Sequence, residues 1–131
     1  MAAVLLGTVA GSTAVAHHSF AMYDNTRSIT VKGTVTKWQW ANPHAYLEIE
    51  TPGAGGKPAR YVFEGTSVNL MQRQGWRSNM IKLGDTVTAV ASPAKSGEPS
   101  GLLLEVTFAN GETKSMSIPD GYTFKRTSDA K

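Results

Sequence analysis

Ser28-Ile29-Thr30-Val31-Lys32-Gly33-Thr34-Val35-Thr36-Lys37-Trp38-Gln39-Trp40 is the stretch that decides the fold. Ile29, Val31, Gly33 and Val35 share one parity, and Thr30, Lys32, Thr34 and Thr36 share the other. A period of two is that of a half-buried β-strand. Trp38 and Trp40 fall on the opposite parity to Val35. A bulge near Lys37 would return them to the core face. Without one they point outward as a binding surface.

Downstream, Ala41-Asn42-Pro43 reads as a turn. His44 to Thr51 alternates again, with Ala45, Leu47 and Ile49 opposite Tyr46, Glu48 and Glu50. Pro52 to Pro58 is a glycine-rich hairpin loop. Arg60 to Glu64 is a third strand carrying Tyr61 and Phe63. Ser67 to Gln74 breaks the period: Ser67 can cap a helix, Val68, Met71 and Gln72 fall at helical spacing, and Gly75 can end it. Leu83-Gly84-Asp85 turns the chain into a fourth strand, Thr86 to Ser92. Pro93 to Gly101 is a loop, and Leu102 to Phe108 is a fifth strand. Asn110-Gly111 is a hairpin turn into a short sixth strand within Glu112 to Ile118. The order β-β-β-α-β-β, with a glycine inside the first strand, predicts an all-β domain. It fits a small OB-like Greek-key barrel with one short helix. A flat antiparallel sandwich is the alternative. The domain is expected over residues 17–118, followed by a polar tail over 119–131.

Upstream, residues 1–16 carry no charged side chain. Ala2 to Gly11 is an apolar run within the usual signal-peptide core of roughly 7–15 residues. It is short of the ~20 needed to span a bilayer. Ala14-Val15-Ala16 places small residues where a signal peptidase reads. The expectation is a periplasmic or secreted protein that begins at His17 and has no membrane span in the mature chain. A buried N-terminal strand or helix is the structural alternative.

The chain has no cysteine, so disulfides and thiolate metal sites are excluded. Thirteen basic residues against 10 acidic ones give a net charge of +3. The basic residues are scattered, without the stripe expected of a nucleic-acid binder, so no nucleic-acid partner is expected.

His17, His18 and His44 are all the histidines present. Cleavage after Ala16 would give His17 a free α-amine beside its imidazole. Those two nitrogens and a second imidazole form a set that suits copper. His44 is the best-placed second imidazole; His18 is nearer but awkward, because neighbouring residues on an extended chain face apart. The structural alternative is a solvated N-terminus with His44 packed beside Pro43.

Trp40 and Trp76, with Asn42 and Arg73, are candidate ligand contacts. Aromatics on the exposed face of a barrel can stack on a flat ligand, but aromatics also dominate small cores. Arg73 or Arg77 can hold an anion, or simply favour the C-terminal end of the helix dipole. Asp24, Glu48, Glu50, Glu64 and Asp85 show no recognisable catalytic pairing. Ser19 beside His18 lacks the acid and oxyanion loop of a triad. No catalytic residue is assigned, and no enzyme is expected.

Several segments together resemble a family of short exported bacterial proteins, domain-of-unknown-function family 6152. They are Ala16-His17-His18-Ser19-Phe20-Ala21-Met22-Tyr23-Asp24, Val31-Lys32-Gly33-Thr34-Val35 and Trp40-Ala41-Asn42-Pro43-His44, then Leu70-Met71-Gln72-Arg73-Gln74-Gly75-Trp76 and Leu83-Gly84-Asp85-Thr86-Val87-Thr88. The resemblance implies export and brings no known activity. The uncharged leader and the tail after Gly111 depart from it.

The expectation is an exported, non-enzymatic binding module for a small ligand, a metal or a protein. Copper held by His17 and His44 is its sharpest form. The alternative is a protein–protein interaction domain using exposed Trp38 or Trp40 and a sheet edge.

Overall fold

A computed structural model describes residues 20–118 of the protein. The expected signal segment, His17, His18 and the tail over 119–131 lie outside the described residues. The alternating stretch forms β1, Ile29–Gln39. It is followed by β2, Tyr46–Pro52, and β3, Pro58–Glu64. Next come the helix α1, Val68–Arg73, then β4, Thr86–Pro93, β5, Ser100–Thr107, and β6, Thr113–Ser115. Single 3-10 turns occupy Ala54–Gly56 and Ser78–Met80. The second of these had no signature in the sequence pattern.

The sheet runs β3-β2-β1-β4-β5-β6 and closes through a β3–β5 pairing. Five strands therefore form a barrel, and β6 adds to its β5 edge. All pairings are antiparallel except the closing one, in which Val62, Phe63 and Glu64 lie parallel to Ser100, Gly101 and Leu102. A closed five-stranded barrel with a helix between its third and fourth strands is an OB-like Greek key.

β1 makes this closure possible. Its first half pairs with β4 and its second half with β2, and Thr34 faces partners on both sides. Gly33 sits at that corner. A Cβ there would lie 2.4 Å from the carbonyl oxygen of Glu50 and 2.5 Å from Ile49 Cγ2, so only glycine allows the approach. The register shifts between Val35 and Lys37. That bulge turns Trp38 and Trp40 onto the core, where both are partly buried. Their rings meet at 5.6 Å, and Trp38 Nε1 donates to Ser78 O at 3.0 Å. The pair supplements the core rather than forming an outward face.

The barrel interior holds Val35, Leu47, Ile49, Phe63, Met71, Trp76, Val87, Val106 and their neighbours. Helix α1 contributes Met71 to this core. Ser67 Oγ accepts from the Leu70 amide at 3.3 Å, the capping the sequence anticipates, and Val68 and Met71 face inward. Gly75, at φ 84°, ends the helix in the left-handed region. Trp76 then turns back into the core.

Strand ends differ from expectation at the margins. His44 precedes β2 instead of opening it. β5 begins at Ser100, because its first residues close the barrel against β3. β6 is only three residues long; just beyond it the Met116 amide still donates to Leu104 O at 2.9 Å while its side chain is buried in the core.

Candidate functional site

The chemistry-bearing side chains gather on the outside of the barrel, where residues 20–24 cross it. Along β2, Leu47 and Ile49 face in, so Tyr46 and Glu48 face out. Along β3, Phe63 faces in and Glu64 faces out. Tyr46 and Glu64 are cross-strand partners. Ala45 bonds in both directions to the segment after β3, its amide to Thr66 O at 3.1 Å and its carbonyl to the Gly65 amide at 2.7 Å. His44 is thus carried to the end of β3, where its Nδ1 meets Glu64 Oε1.

The other oxygen of Glu64 accepts from the Tyr23 hydroxyl at 2.5 Å. Tyr23 belongs to an N-terminal arm that lies over β5. It forms an isolated antiparallel bridge with Ala94. The Asp24 amide donates to Pro93 O at 2.8 Å and the Lys95 amide to Met22 O at 2.9 Å. Ser92 Oγ donates to Asp24 O at 2.5 Å. Tyr23, Ala94, Leu102 and Leu104 form a second buried cluster, joined by Phe20 and Ile118. Leu102 and Leu104 have the parity opposite to Leu103, which points into the main core. The arm therefore covers an apolar outer face of β5 and delivers Tyr23 to Glu64.

Electrostatics follow from this packing. Burial holds the Tyr23 proton well above the ordinary tyrosine range, and the hydrogen bond and charge of Glu64 push the same way. Tyr46 is raised by burial first and then by Glu64. At the outer end of the arm, Asp24 is held down at about 2. The hydroxyl and amide of Thr26 donate to it at 2.6 and 3.0 Å, and Arg27 Nε adds a contact at 3.0 Å.

The sequence candidates part company here. His44 is in the cluster, one quarter of its side chain exposed. Asn42 is close in sequence, but its Oδ1 accepts from the Val68 amide at 3.1 Å and so caps α1. Trp76 is fully buried, and its Nε1 donates to Ser115 O at 3.3 Å. It packs edge-on against Phe108 and presents no surface to a ligand. Trp40 is partly buried against the core. Arg73 is exposed in the last turn of α1. Arg77 donates to Gln72 O and Trp76 O at 3.2 and 2.7 Å, which is the helix-end role weighed for it. These residues do not converge with His44.

Two residues that sequence reasoning did not place in the site are central to it. Glu64 read as an unpaired carboxylate, yet it holds both His44 and Tyr23. Tyr23 appeared only within the segment that carries the family likeness, with no role assigned to it. The Phe20-to-Tyr23 spacing, inside a segment that carried the family likeness, was the available signal. Among the described residues, no three His, Cys, Asp or Glu side chains are grouped to hold a metal. An open groove of about 600 Å³, lined by Met80, Phe108, Asn110, Glu112, Thr113 and Lys114, contains none of the cluster residues. No helix among the described residues is long and apolar enough to cross a membrane.

No match to a curated protein was found. Among solved structures, the chain is similar to the mitochondrial single-stranded DNA-binding protein Rim1 of S. cerevisiae. One crystal structure of Rim1 aligns at 12% identity and a TM-score of 0.48, covering 63% of this chain and 93% of that one. Another, from selenomethionine-labelled protein, aligns at 12% identity and 0.46, covering 70% and 97%. Residues 5–106 match the family of unknown function DUF6152, well over half the chain, and the protein belongs to that family.

Proposed function

We propose that this is an exported, non-enzymatic binding module, and that its site is the outer face of the barrel at His44. The carrying observation is that one carboxylate, Glu64, holds both His44 and the N-terminal arm. The arm and the histidine therefore share one place on the surface.

The sharpest form of this reading is a copper site shared by His44 and a processed N-terminus at His17. His44 suits the role. With Nδ1 engaged by Glu64, Nε2 is the nitrogen left to ligate, the usual arrangement of a carboxylate-backed metal histidine. Tyr23 lies six positions after His17, so the connection can span up to about 20 Å. His17 would supply its α-amine and imidazole. Bound copper would be held by nitrogen donors alone, a set suited to both of its common oxidation states. The chain's own contribution is to orient His44, tether the arm and exclude competing thiol ligands, since it has no cysteine.

Electron paramagnetic resonance of Cu(II) bound to protein beginning at His17 tests this. Stoichiometric binding with nitrogen hyperfine structure is expected, and His44→Ala should change both spectrum and affinity. An unchanged spectrum and affinity in that variant would remove His44 from the site.

A further inference from the structure

We propose that the groove between the turn at Ser78–Met80 and the β5–β6 hairpin is a binding site for a small aromatic carboxylate, separate from the site at His44. Both walls of the groove are fixed by the fold. Ile81 is buried in the core, so Met80 before it is turned outward and is 37% exposed. Trp38 Nε1 holds the Ser78 carbonyl at 3.0 Å, and the Met80 amide donates to Arg77 O at 3.2 Å. On the other side, the Phe108 amide donates to Glu112 O at 2.8 Å and the Gly111 amide to Phe108 O at 3.0 Å, which closes the hairpin. Phe108 is only partly buried, with its ring edge-on to Trp76 at 6.0 Å. Met80 and Phe108 thus give this groove of about 600 Å³ its apolar surface. Its size suits a small molecule, and its shape is set before any ligand arrives.

The polar groups around the groove decide what kind of ligand fits. Asn110 and Glu112 satisfy each other: Asn110 Nδ2 donates to Glu112 Oε2 at 3.0 Å, and the Glu112 amide donates to Asn110 Oδ1 at 2.9 Å. The Thr113 hydroxyl pairs with that of Thr107 at 2.9 Å. Lys114 differs, because among the described residues it forms no ion pair with a carboxylate. Its ammonium lies against the turn that ends α1, where a Cβ on Gly75 would sit 3.2 Å from Nζ. Arg77 stands at the same turn, its Nη1 bonded to Gln72 O and Trp76 O. Two cations therefore meet at this turn, whereas the Glu112 carboxylate is tied into its own hairpin. That balance favours an anion. An aromatic ring laid on Phe108, with the Met80 thioether at its edge, leaves its carboxylate for the unpaired Lys114 ammonium.

The test is a heteronuclear NMR titration of the full chain with 2-naphthoate, alongside its uncharged analogue 2-naphthamide. In the wild type, 2-naphthoate is expected to shift the amides of residues 78–80 and 108–114, with a Kd of about 1 mM or tighter, from the binding efficiency of ordinary small ligands. The amide analogue should bind about tenfold more weakly, since it forfeits the charge-assisted hydrogen bond. Lys114→Gln should weaken 2-naphthoate by about tenfold and bring it level with 2-naphthamide. Met80→Ser, at an exposed position, should weaken both ligands by roughly threefold to tenfold through lost apolar contact. Lys57→Gln, which removes an exposed lysine from the loop between β2 and β3, should bind as the wild type does. The Val35 amide, bonded to Asp85 O at 2.8 Å within the barrel, serves as the check that each variant is folded. No shift in the groove amides, or shifts centred elsewhere, would overturn the site. Equal wild-type affinity for the acid and the amide, or undiminished 2-naphthoate binding in Lys114→Gln, would overturn the carboxylate as its ligand. Cu(II) has no part in the titration, so this proposal and the metal reading stand or fall separately.

Discussion

The barrel has two hydrophobic clusters, and they differ in kind. The inner one is built from alternating residues of five strands plus α1 and Trp76, and hydrogen-bond ladders enclose it on all sides. The outer one is small: Tyr23, Ala94, Leu102 and Leu104, with Phe20 and Ile118 against them. It exists only because a non-strand arm lies across β5. The inner cluster accounts for the fold. The outer cluster carries the ionisable groups, because polar side chains on the outside of a strand can be partly covered without being stranded in apolar surroundings. His44 and Glu64 are partnered and partly covered, and the nearly buried Tyr23 has its hydroxyl paired; an ionisable group left unpaired in the interior would carry a large desolvation cost.

Substitution in each cluster should separate their roles. The largest effect is expected for Phe63→Ala. Phe63 is fully buried at the closing strand, and its loss should cost roughly 3–5 kcal/mol in urea-unfolding experiments. A cost below about 1 kcal/mol would mean that the barrel closes without it. Tyr23→Phe keeps the ring and removes one hydrogen bond to a carboxylate, so a loss of about 1.5–3 kcal/mol is expected. The inner cluster should keep its near-ultraviolet signature. A global loss of that signature would merge the two clusters into one.

The smallest effects are expected from pH, and their signs follow from the arm. Asp24 is depressed in the folded protein to about 2 from an ordinary value of 3.8. Its contribution is complete above pH 3.8 and is lost as pH falls through about 2. Tyr23 is displaced the other way. The folded protein favours its neutral form, so its contribution is complete below the ordinary tyrosine value of about 10 and is lost as pH rises beyond it. Protection of the arm amides, taken relative to each amide's intrinsic hydrogen-exchange rate at that pH, should therefore be greatest in the middle of the range between pH 2 and 11 and fall at both ends. In Tyr23→Phe the alkaline loss of protection should vanish and the acid one persist.

How legible each cluster was in the sequence follows from the same contrast. The alternation of Ile29 to Val35 and of Ala45 to Ile49, the glycine at 33, the bulge near Lys37 and the Ser67 cap are local signals, and each marks an element that the structure contains. Trp76 misled as a ligand candidate because sequence does not say which aromatics the core will absorb. Glu64 and Tyr23 were invisible as a pair for a different reason. They meet across 41 residues, through the β2–β3 register and an arm held by Pro93 and Ala94. Such a contact leaves no period in the chain. His44 stood out only as one of three histidines, and its partner came from the fold.

The most direct test of the account compares Cu(II) affinity of protein that begins at His17 with that of protein retaining Ala16. The retained residue converts the His17 amine into an amide and leaves every described contact of the barrel intact. If the site joins His44 to a free N-terminal histidine, tight binding should appear only in the protein that begins at His17. Equal affinity in the two forms would contradict it.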